Sequence, residues 1–228
     1  MKLIDTHCHL NDQQLYQDVD NVISRALQTG IEKMVVIGWD KESSELAIKL
    51  AEQYPFIYAT VGFHPENLEG VSDELLYEVL ELSKHPKVVG IGEIGLDYHW
   101  EKDPAKREIQ KEFFIKQIEY ANKVGLPISI HSREAFQDTL EILQNHKPLH
   151  SGVMHCYSGS VENIKDIRRC RPRPQRIQGS AAGCPQFPPA HGCSFRFRPQ
   201  TWSFPGSRHY TRRRSWPSQH PGRKRFPG

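Results

Sequence analysis

Six short apolar segments alternate with longer amphipathic segments through the first 160 or so residues, and this alternation limits the possible folds more than any other feature. The short segments are rich in aliphatic and β-branched residues, as buried parallel strands are. They lie at Lys2–Ile4 with its continuation Asp5–His7, and at Lys33–Ile37, Ile57–Phe63, Val88–Ile94, Pro127–Ile130 and Gly152–Met154. The alternation predicts a parallel sheet whose strands are joined by helices.

The segments between these strands carry apolar residues at spacings of three and four, which indicates helices. The longest is predicted to begin at Pro104, which suits a first helical turn, and to end near Val124, just before Gly125. The other predicted helices contain the apolar stripes that begin at Val19, Leu46 and Leu75, and the segment Glu134–Leu143. Most predicted strands are thus followed by a recognisable helix.

The length of the repeat distinguishes a barrel from an open sheet. Six strand-and-helix units in about 160 residues extrapolate to eight units in roughly 215–250 residues, which is the size of a (β/α)8 barrel. A doubly wound open sheet would gather its functional polar residues at one switch point. Here they occur at strand ends along the whole series, so we predict an α/β fold of the (β/α)8 TIM-barrel type.

A seventh unit is expected to begin near residue 160, but the pattern stops soon after Val161, Ile164 and Ile167 start a helix at a spacing of three. Residues 1–167 carry 16 Lys and Arg against 27 Asp and Glu, whereas residues 168–228 carry 14 Lys and Arg and no acidic residue. Ile177 is the only Leu, Ile, Val or Met in that last segment, and buried parallel strands need such residues. We therefore predict an incomplete barrel, with six of eight units, in residues 1–167, followed by a basic, Pro- and Arg-rich, disordered tail in residues 168–228.

Membrane and secreted classes are disfavoured. No apolar run approaches the roughly 18–20 residues that span a bilayer, and the polar residues that follow Met1 do not suit a signal peptide. Five cysteines at irregular positions form no paired framework, which favours reduced thiols. We expect a soluble cytoplasmic protein with no membrane partner, and we infer no obligate protein partner.

Ionisable residues occur at the predicted carboxyl ends of four strands. His7 and His9 follow the first strand and, as residues i and i+2 of an extended chain, project from one face. Glu93 lies within an apolar strand, where an unpaired carboxylate would be costly and needs a cation. His131 and His155 each directly follow a predicted strand. The carboxyl-terminal face of a barrel is where barrel enzymes build their active sites.

Each of these residues alone has an ordinary explanation, such as a hydrogen-bonded capping histidine or a carboxylate with a structural partner. Their common position favours a metal site instead. Imidazole and carboxylate together select transition-type or hard divalent ions over the metals of thiolate sites. Cys8 and Cys156 neighbour the histidines, but their spacing fits no zinc finger.

Five motifs run along residues 1–167 in order. They are Asp5-Thr-His-Cys-His-Leu10, Gly62-Phe-His-Pro65, Gly90-Ile-Gly-Glu-Ile-Gly-Leu-Asp-Tyr98, Pro127-Ile-Ser-Ile-His-Ser-Arg133 and His155-Cys-Tyr-Ser-Gly159. In sequence and spacing they resemble the motifs of the TatD family of metal-dependent deoxyribonucleases, within the amidohydrolase-like barrels. The resemblance implies an enzyme of the EC 3.1 class that cleaves phosphodiester bonds in DNA, with some members acting on single strands from the 3′ end.

The resemblance further implies two divalent metal ions as cofactors (Mg²⁺, Mn²⁺ or Zn²⁺). It assigns His7 and His9 to one ion. It assigns His131 and His155 to the second. Glu93 bridges the two ions and is the expected catalytic residue. Two ions about 3.5–4 Å apart can activate a water and stabilise both oxygens of an in-line displacement.

Two further residues are expected to bind the DNA substrate. Arg133 is well placed to bind a phosphate oxygen in a bidentate manner, although it could instead cap the following helix. His64 could contact phosphate or support a metal ligand, or it could only form a turn with Pro65. Asp97 and Tyr98 are expected to orient their neighbours.

The family's last motif resembles Glu-Thr-Asp-x-Pro-x-Leu, and its Asp completes one metal site and is the usual candidate for general base. No aspartate follows Asp166 in this chain, so we expect impaired activity. Residues 168–228 have three possible interpretations: an out-of-frame translation, a basic arm that binds nucleic acid, or a zinc module with weak support from Cys184, Cys193, His191 and His209. The chain could also be an inactive nucleic-acid- or metal-binding remnant, or a hydrolase of another ester such as aminoacyl-tRNA.

Overall fold

The computed structural model describes residues 2–157 and 159–170, which form six strands and the helices that connect them. The strands pair in the order of the sequence, and every pair is parallel. The sheet curls into part of a barrel, so the predicted α/β architecture with six units is confirmed. The strands are β1 (Leu3–Cys8), β2 (Ile31–Ile37), β3 (Ile57–Val61), β4 (Val88–Asp97), β5 (Ile128–Arg133) and β6 (Gly152–Met154).

Seven α-helices occur in the described residues, together with two short 3₁₀ turns at Pro65–Asn67 and Leu82–Lys84. The long helix has the bounds that the sequence predicts, and Gly125 caps it in the left-handed conformation at φ +78°. The helices are α1 (Gln13–Tyr16), α2 (Val19–Gln28), α3 (Lys41–Gln53), α4 (Asp73–Glu81), α5 (Pro104–Val124), α6 (Phe136–Asn145) and α7 (Val161–Arg169).

Two strands are longer at their carboxyl ends than the sequence pattern indicates. Strand β4 continues through Asp97, and β5 includes His131 and continues through Arg133. The two extensions pair with each other, because Leu96 lies opposite Ser132 and Asp97 opposite Arg133. Backbone pairing therefore holds this polar end of the sheet in place.

The hydrophobic core lies on the strands and the helices that cover them. Leu76 and Leu80 of α4 and Phe114 and Ile118 of α5 are fully buried. Burying a side chain of this size stabilises the fold by roughly 1.5–3 kcal/mol. Most of the other large apolar side chains that are fully buried lie on strands, namely Ile37, Ile57, Ile91, Ile94, Leu96 and Ile130, while Leu50 of α3 and Leu143 of α6 complete the set.

Two buried glutamines of α5 fix the carboxyl ends of β3 and β4. The Gln117 amide accepts from the Phe63 N–H at 2.8 Å and donates to the Phe63 carbonyl at 3.1 Å. The Gln110 amide accepts from the Asp97 N–H at 3.0 Å and donates to the Asp97 carbonyl at 3.3 Å. Backbone groups just beyond the regular ladder are thus paired, as buried polar groups must be.

Glycines allow β4 to pass unusually close to β5. A Cβ atom at Gly95 would lie 2.0 Å from the His131 carbonyl oxygen, and Gly95 has φ +144°. A Cβ atom at Gly92, which has φ +157°, would lie 2.6 Å from the Cβ of Ser129. Only glycine fits such a close approach, and it brings the side chains at this end of β4 and β5 together.

Residues 171–228, which make up nearly all of the tail, lie outside the described part of the chain. The predictions of disorder, a basic arm or a zinc module in the tail therefore stay predictions. The proposed division after residue 167 therefore stays a prediction. None of the helices between residues 2 and 170 that the structure describes is long and apolar enough to cross a membrane.

Candidate metal centre

Strands β1, β4, β5 and β6 bring the five predicted ligand residues to one place. His7 lies in β1 and His9 just after it, Glu93 lies in β4 and His131 in β5, and His155 directly follows β6. The β4 backbone is fixed at this point because the Glu93 N–H donates to the Gly38 carbonyl at 2.7 Å. The curled sheet thus brings these side chains together at the carboxyl ends of its strands.

The Glu93 carboxylate, which is 4% exposed, lies at the middle of the group. One oxygen, Oε2, is 3.3 Å from His7 Nε2 and 3.8 Å from His9 Nε2. The other oxygen, Oε1, is 3.1 Å from His131 Nδ1. The two oxygens therefore face two different sets of imidazoles, as the oxygens of a bridging carboxylate would.

Asp97 holds the far side of the His131 ring. Its Oδ2 atom lies 2.9 Å from His131 Nε2, and its Oδ1 atom accepts the backbone N–H groups of His99 and Trp100 at 2.9 and 3.0 Å. The sequence predicts an orienting role for Asp97. The structure shows a direct contact with a candidate ligand, which sets the orientation of that ring.

His155 and His64 each contact a different one of the candidate ligands. The His155 ring stacks on His7, with centroids 3.6 Å apart and an angle of 8° between the rings. The His64 ring contacts the His131 ring edge to face at 4.3 Å. The assignment of His131 and His155 to the same ion stays a prediction, since in this arrangement His64 is the histidine found with His131 and Glu93.

Burial and mutual contacts give His64, His155 and Glu93 protonation states that suit a cation, whereas burial would lower the pKa of His131 but hydrogen bonds with the two carboxylates beside it raise it. Burial, reinforced by the neighbouring histidine, lowers the pKa of His64 and of His155 to about 4. Burial would raise the pKa of Glu93, but hydrogen bonds with His131 and His7 hold it well below its ordinary value. Neutral imidazoles and an ionised carboxylate are the forms that bind metal ions.

The donor set fits divalent ions. His7 Nε2 and His9 Nε2 face each other at 3.2 Å, and two neutral imidazole nitrogens that both point lone pairs inward repel unless a proton or a cation lies between them. Donor atoms of His7, His9 and Glu93 lie within 4.8 Å of one another, and so do those of His64, Glu93 and His131. Two three-donor groups therefore share one carboxylate.

Arg133 and Trp100 lie at the edge of the centre. Arg133 ends β5 and is exposed, and its guanidinium carbon lies 5.5 Å from the centroid of the Trp100 ring. Trp100 was not among the residues predicted from sequence, because a single tryptophan in a loop carries no periodic signal. Its position two residues after the Asp97-Tyr98 end of a motif was the available indication.

Three comparisons bear on this arrangement. A family model described as TatD related DNase matches residues 4–171. The chain is 46% identical over 168 residues to an uncharacterized metal-dependent hydrolase, YabD, of Bacillus subtilis, covering 73% of this chain and 65% of that protein. It is 34% identical over 165 residues to the 3'-5' ssDNA/RNA exonuclease TatD of Erwinia tasmaniensis, covering 72% of this chain and 63% of that protein.

Among solved structures, YJJV, a TatD homolog from Escherichia coli K12, matches with a TM-score of 0.69 and 33% sequence identity, over 74% of this chain and 65% of the other. This match confirms the predicted TIM-barrel type of fold. The chain spans less than two thirds of the length of each of these three proteins.

Proposed function

The chain belongs to the family of TatD-related DNases, and from this premise we propose that it is a metal-dependent hydrolase that cleaves phosphodiester bonds of single-stranded DNA from the 3′ end. The observation that carries the proposal is the convergence of three imidazoles on the two oxygens of the buried Glu93 carboxylate. The similarity to a protein named a 3'-5' ssDNA/RNA exonuclease supports the strand and end preference.

The proposed cofactors are two divalent ions, Mg²⁺, Mn²⁺ or Zn²⁺. His7, His9 and Glu93 would hold one, and Glu93 and His131, with His155 as expected from the family resemblance, would hold the other. When bound, such ions supply positive charge that stabilises a phosphoryl group and acidity that activates a water.

The cellular location that we propose for this protein is the cytoplasm.

The residues of this chain have separate tasks in that scheme. Glu93 keeps the two groups of histidines in register, because its oxygens contact one group each. Asp97 holds the His131 ring in a fixed orientation from behind. Arg133 is exposed beside the centre and is suited to bind a phosphate oxygen through two parallel N–H bonds. His64, at the other side of His131, is suited to contact the same phosphate.

The test is cleavage of a short single-stranded DNA, labelled at its 5′ end, by the purified 228-residue chain. We expect a ladder of products shortened from the 3′ end with Mn²⁺ or Mg²⁺, and none after chelation with EDTA. Binding of DNA without cleavage would identify an inactive remnant. Deacylation of aminoacyl-tRNA without cleavage of DNA would identify a hydrolase of another ester.

A further inference from the structure

Trp100 is the most exposed large apolar side chain in the part of the chain that the structure describes, with 65% of its surface accessible. It lies in the loop between β4 and α5, at the same end of the sheet as the candidate metal centre. A single exposed apolar residue is common on proteins and by itself indicates nothing. Its surroundings distinguish it.

The backbone at Trp100 is tied to the centre by one carboxylate. Asp97 Oδ1 accepts the Trp100 N–H at 3.0 Å, while Asp97 Oδ2 lies 2.9 Å from His131 Nε2. Asp97 is itself 1% exposed and is held at its backbone by Gln110. Asp97 therefore holds the Trp100 backbone and the His131 ring at the same time, and the indole is exposed to solvent near the candidate metal centre.

A cation lies against the exposed ring. The Arg133 guanidinium carbon is 5.5 Å from the Trp100 centroid, and no ion pair engages Arg133 among residues 2–157 and 159–170. The adjacent Glu134 has φ +54°, and its carboxylate is paired with His99 at 2.7 Å and Lys102 at 3.5 Å. The Glu134 charge is thus neutralised by its own partners, while Arg133 remains available for an anion.

We infer that Trp100 and Arg133 form a nucleotide subsite, in which the indole stacks on an unpaired base and the guanidinium binds the adjoining phosphate. A flat, exposed π surface beside an unpaired guanidinium is the combination that single-stranded nucleic acid uses, and it is tolerant of sequence because every base has a π face. A base within a duplex is already stacked, so the subsite selects single strands. The inference rests on the proposed function, since it names a contact for that substrate.

The experiment measures binding by fluorescence anisotropy, using the full chain and two labelled octamers with phosphorothioate linkages. One octamer is oligothymidylate, and the other has the same backbone but abasic sugars. We expect Trp100→Ala to weaken binding of oligothymidylate roughly tenfold and to leave binding of the abasic octamer unchanged. Trp100→Phe should bind nearly as well as the parent chain, and Arg133→Ala should weaken both octamers.

Tyr77→Ala is the matched control, because Tyr77 is also an exposed aromatic residue (44%) but lies on helix α4. It should bind both octamers as the parent chain does. Equal binding of oligothymidylate by Trp100→Ala and the parent chain would overturn the inference, and so would equal weakening of both octamers or a parent chain that binds neither.

The subsite and the proposed function fail in different ways. Base-dependent binding that needs Trp100, without cleavage of an unmodified octamer, would retain the subsite and reject the nuclease. Cleavage that is indifferent to Trp100→Ala would retain the nuclease and reject the subsite.

Discussion

Glu93 is a buried carboxylate, and the ion pairs that its side chain forms in the described residues are all with histidine. Replacement of Glu93 by Gln keeps the shape but removes the charge, and an amide cannot offer two anionic oxygens to two ions. We expect cleavage of DNA to fall at least about 100-fold, as for removal of a group that acts directly in catalysis, and calorimetric titration with Mn²⁺ to show weaker binding.

Glu78→Gln is the control for that substitution, because Glu78 pairs only with the exposed Lys41 at 2.6 Å. It should change neither cleavage nor Mn²⁺ binding. A Glu93→Gln chain that cleaves at a near-parental rate would show that the bridging assignment is mistaken.

Asp97 tests how far orientation of a ligand matters. Asp97→Asn weakens the contact with His131 without emptying its space, so we expect a 10- to 100-fold loss of Mn²⁺ affinity or of activity, the usual range for a group that orients a metal ligand. Calorimetric titration gives the affinity, and a thermal melt of the same sample separates it from unfolding. If Asp97→Asn reduced stability but left the Mn²⁺ affinity unchanged, Asp97 would have a structural role and would not orient a metal ligand.

The five candidate ligands could be predicted because their residue types and their positions at the ends of predicted strands can be read from the amino-acid sequence. It did not show that the His155 ring would stack on His7, or that His64 would lie beside His131 and Glu93. Those choices depend on strand curvature and ring rotation, which no spacing along the chain specifies.

At the scale of elements, the close approach of β4 to β5 depends on Gly95. Gly95→Ala places a methyl group 2.0 Å from the His131 carbonyl oxygen, which is backbone and cannot move aside. We expect a loss of several kcal/mol of stability, beyond the roughly 1–2 kcal/mol of an unfavourable positive φ alone, seen as a lower midpoint in urea unfolding.

Gly70→Ala is the control without a clash. Gly70 also has a positive φ, +73°, but a Cβ atom there meets nothing within 4 Å. The two substitutions should therefore differ by the clash and by the less favourable φ of Gly95, +144°. Equal destabilisation would mean that β4 and β5 can separate without cost, which the pairing of Leu96 with Ser132 argues against.

Strand β4, helix α5 and helix α6 are joined at Asp138. Hydrogen bonds from Lys111 (2.8 Å) and Tyr98 (2.7 Å) hold the pKa of the Asp138 carboxyl below its ordinary value. Because the folded-state pKa is the lower one, this stabilisation is complete above the unfolded pKa of about 4 and is lost as the pH falls through the folded-state value.

The Asp138→Asn chain should therefore be less stable than the parent at neutral pH, by about 1 kcal/mol or less for a pair that water still reaches. The difference should shrink at acidic pH, where the parental carboxyl is protonated. Urea unfolding of both chains at the two pH values measures it, and a difference independent of pH would contradict the assignment.

The ends of a helix or strand could be predicted where nearby residues such as proline and glycine set them. They could not be predicted where pairing with a neighbouring strand sets them. Helix α5 begins at Pro104 and ends before Gly125, as those residues dictate. The carboxyl ends of β4 and β5 were underestimated, because the added residues other than Leu96 are glycine or polar and are kept extended by pairing between the two strands.

At the scale of the whole molecule, β1 and β6 each pair on one side only within the described residues. Unpaired edges of a parallel sheet expose backbone groups and leave part of the barrel interior uncovered. We expect the 228-residue chain to be marginally stable and weakly active. Calorimetry should show no cooperative transition above about 50 °C, in the lower part of the usual mesophilic range.

The full-length Bacillus subtilis relative, which is longer than the matched region, is the control and should melt cooperatively at a higher temperature. A cooperative transition of the present chain above about 50 °C, with robust cleavage, would show that its edges are protected.

The order of the strands in the sheet is the same as their order along the chain, and this has a consequence for the time course of folding. Leu3 pairs with Ile31, and Ile128 pairs with Gly152, so each strand after the first meets a partner that precedes it directly in the strand order. Pairing with this neighbour carries a smaller loop-closure cost than pairing with a strand farther away along the chain. Each unit can therefore join a growing sheet while the ribosome is still adding the next.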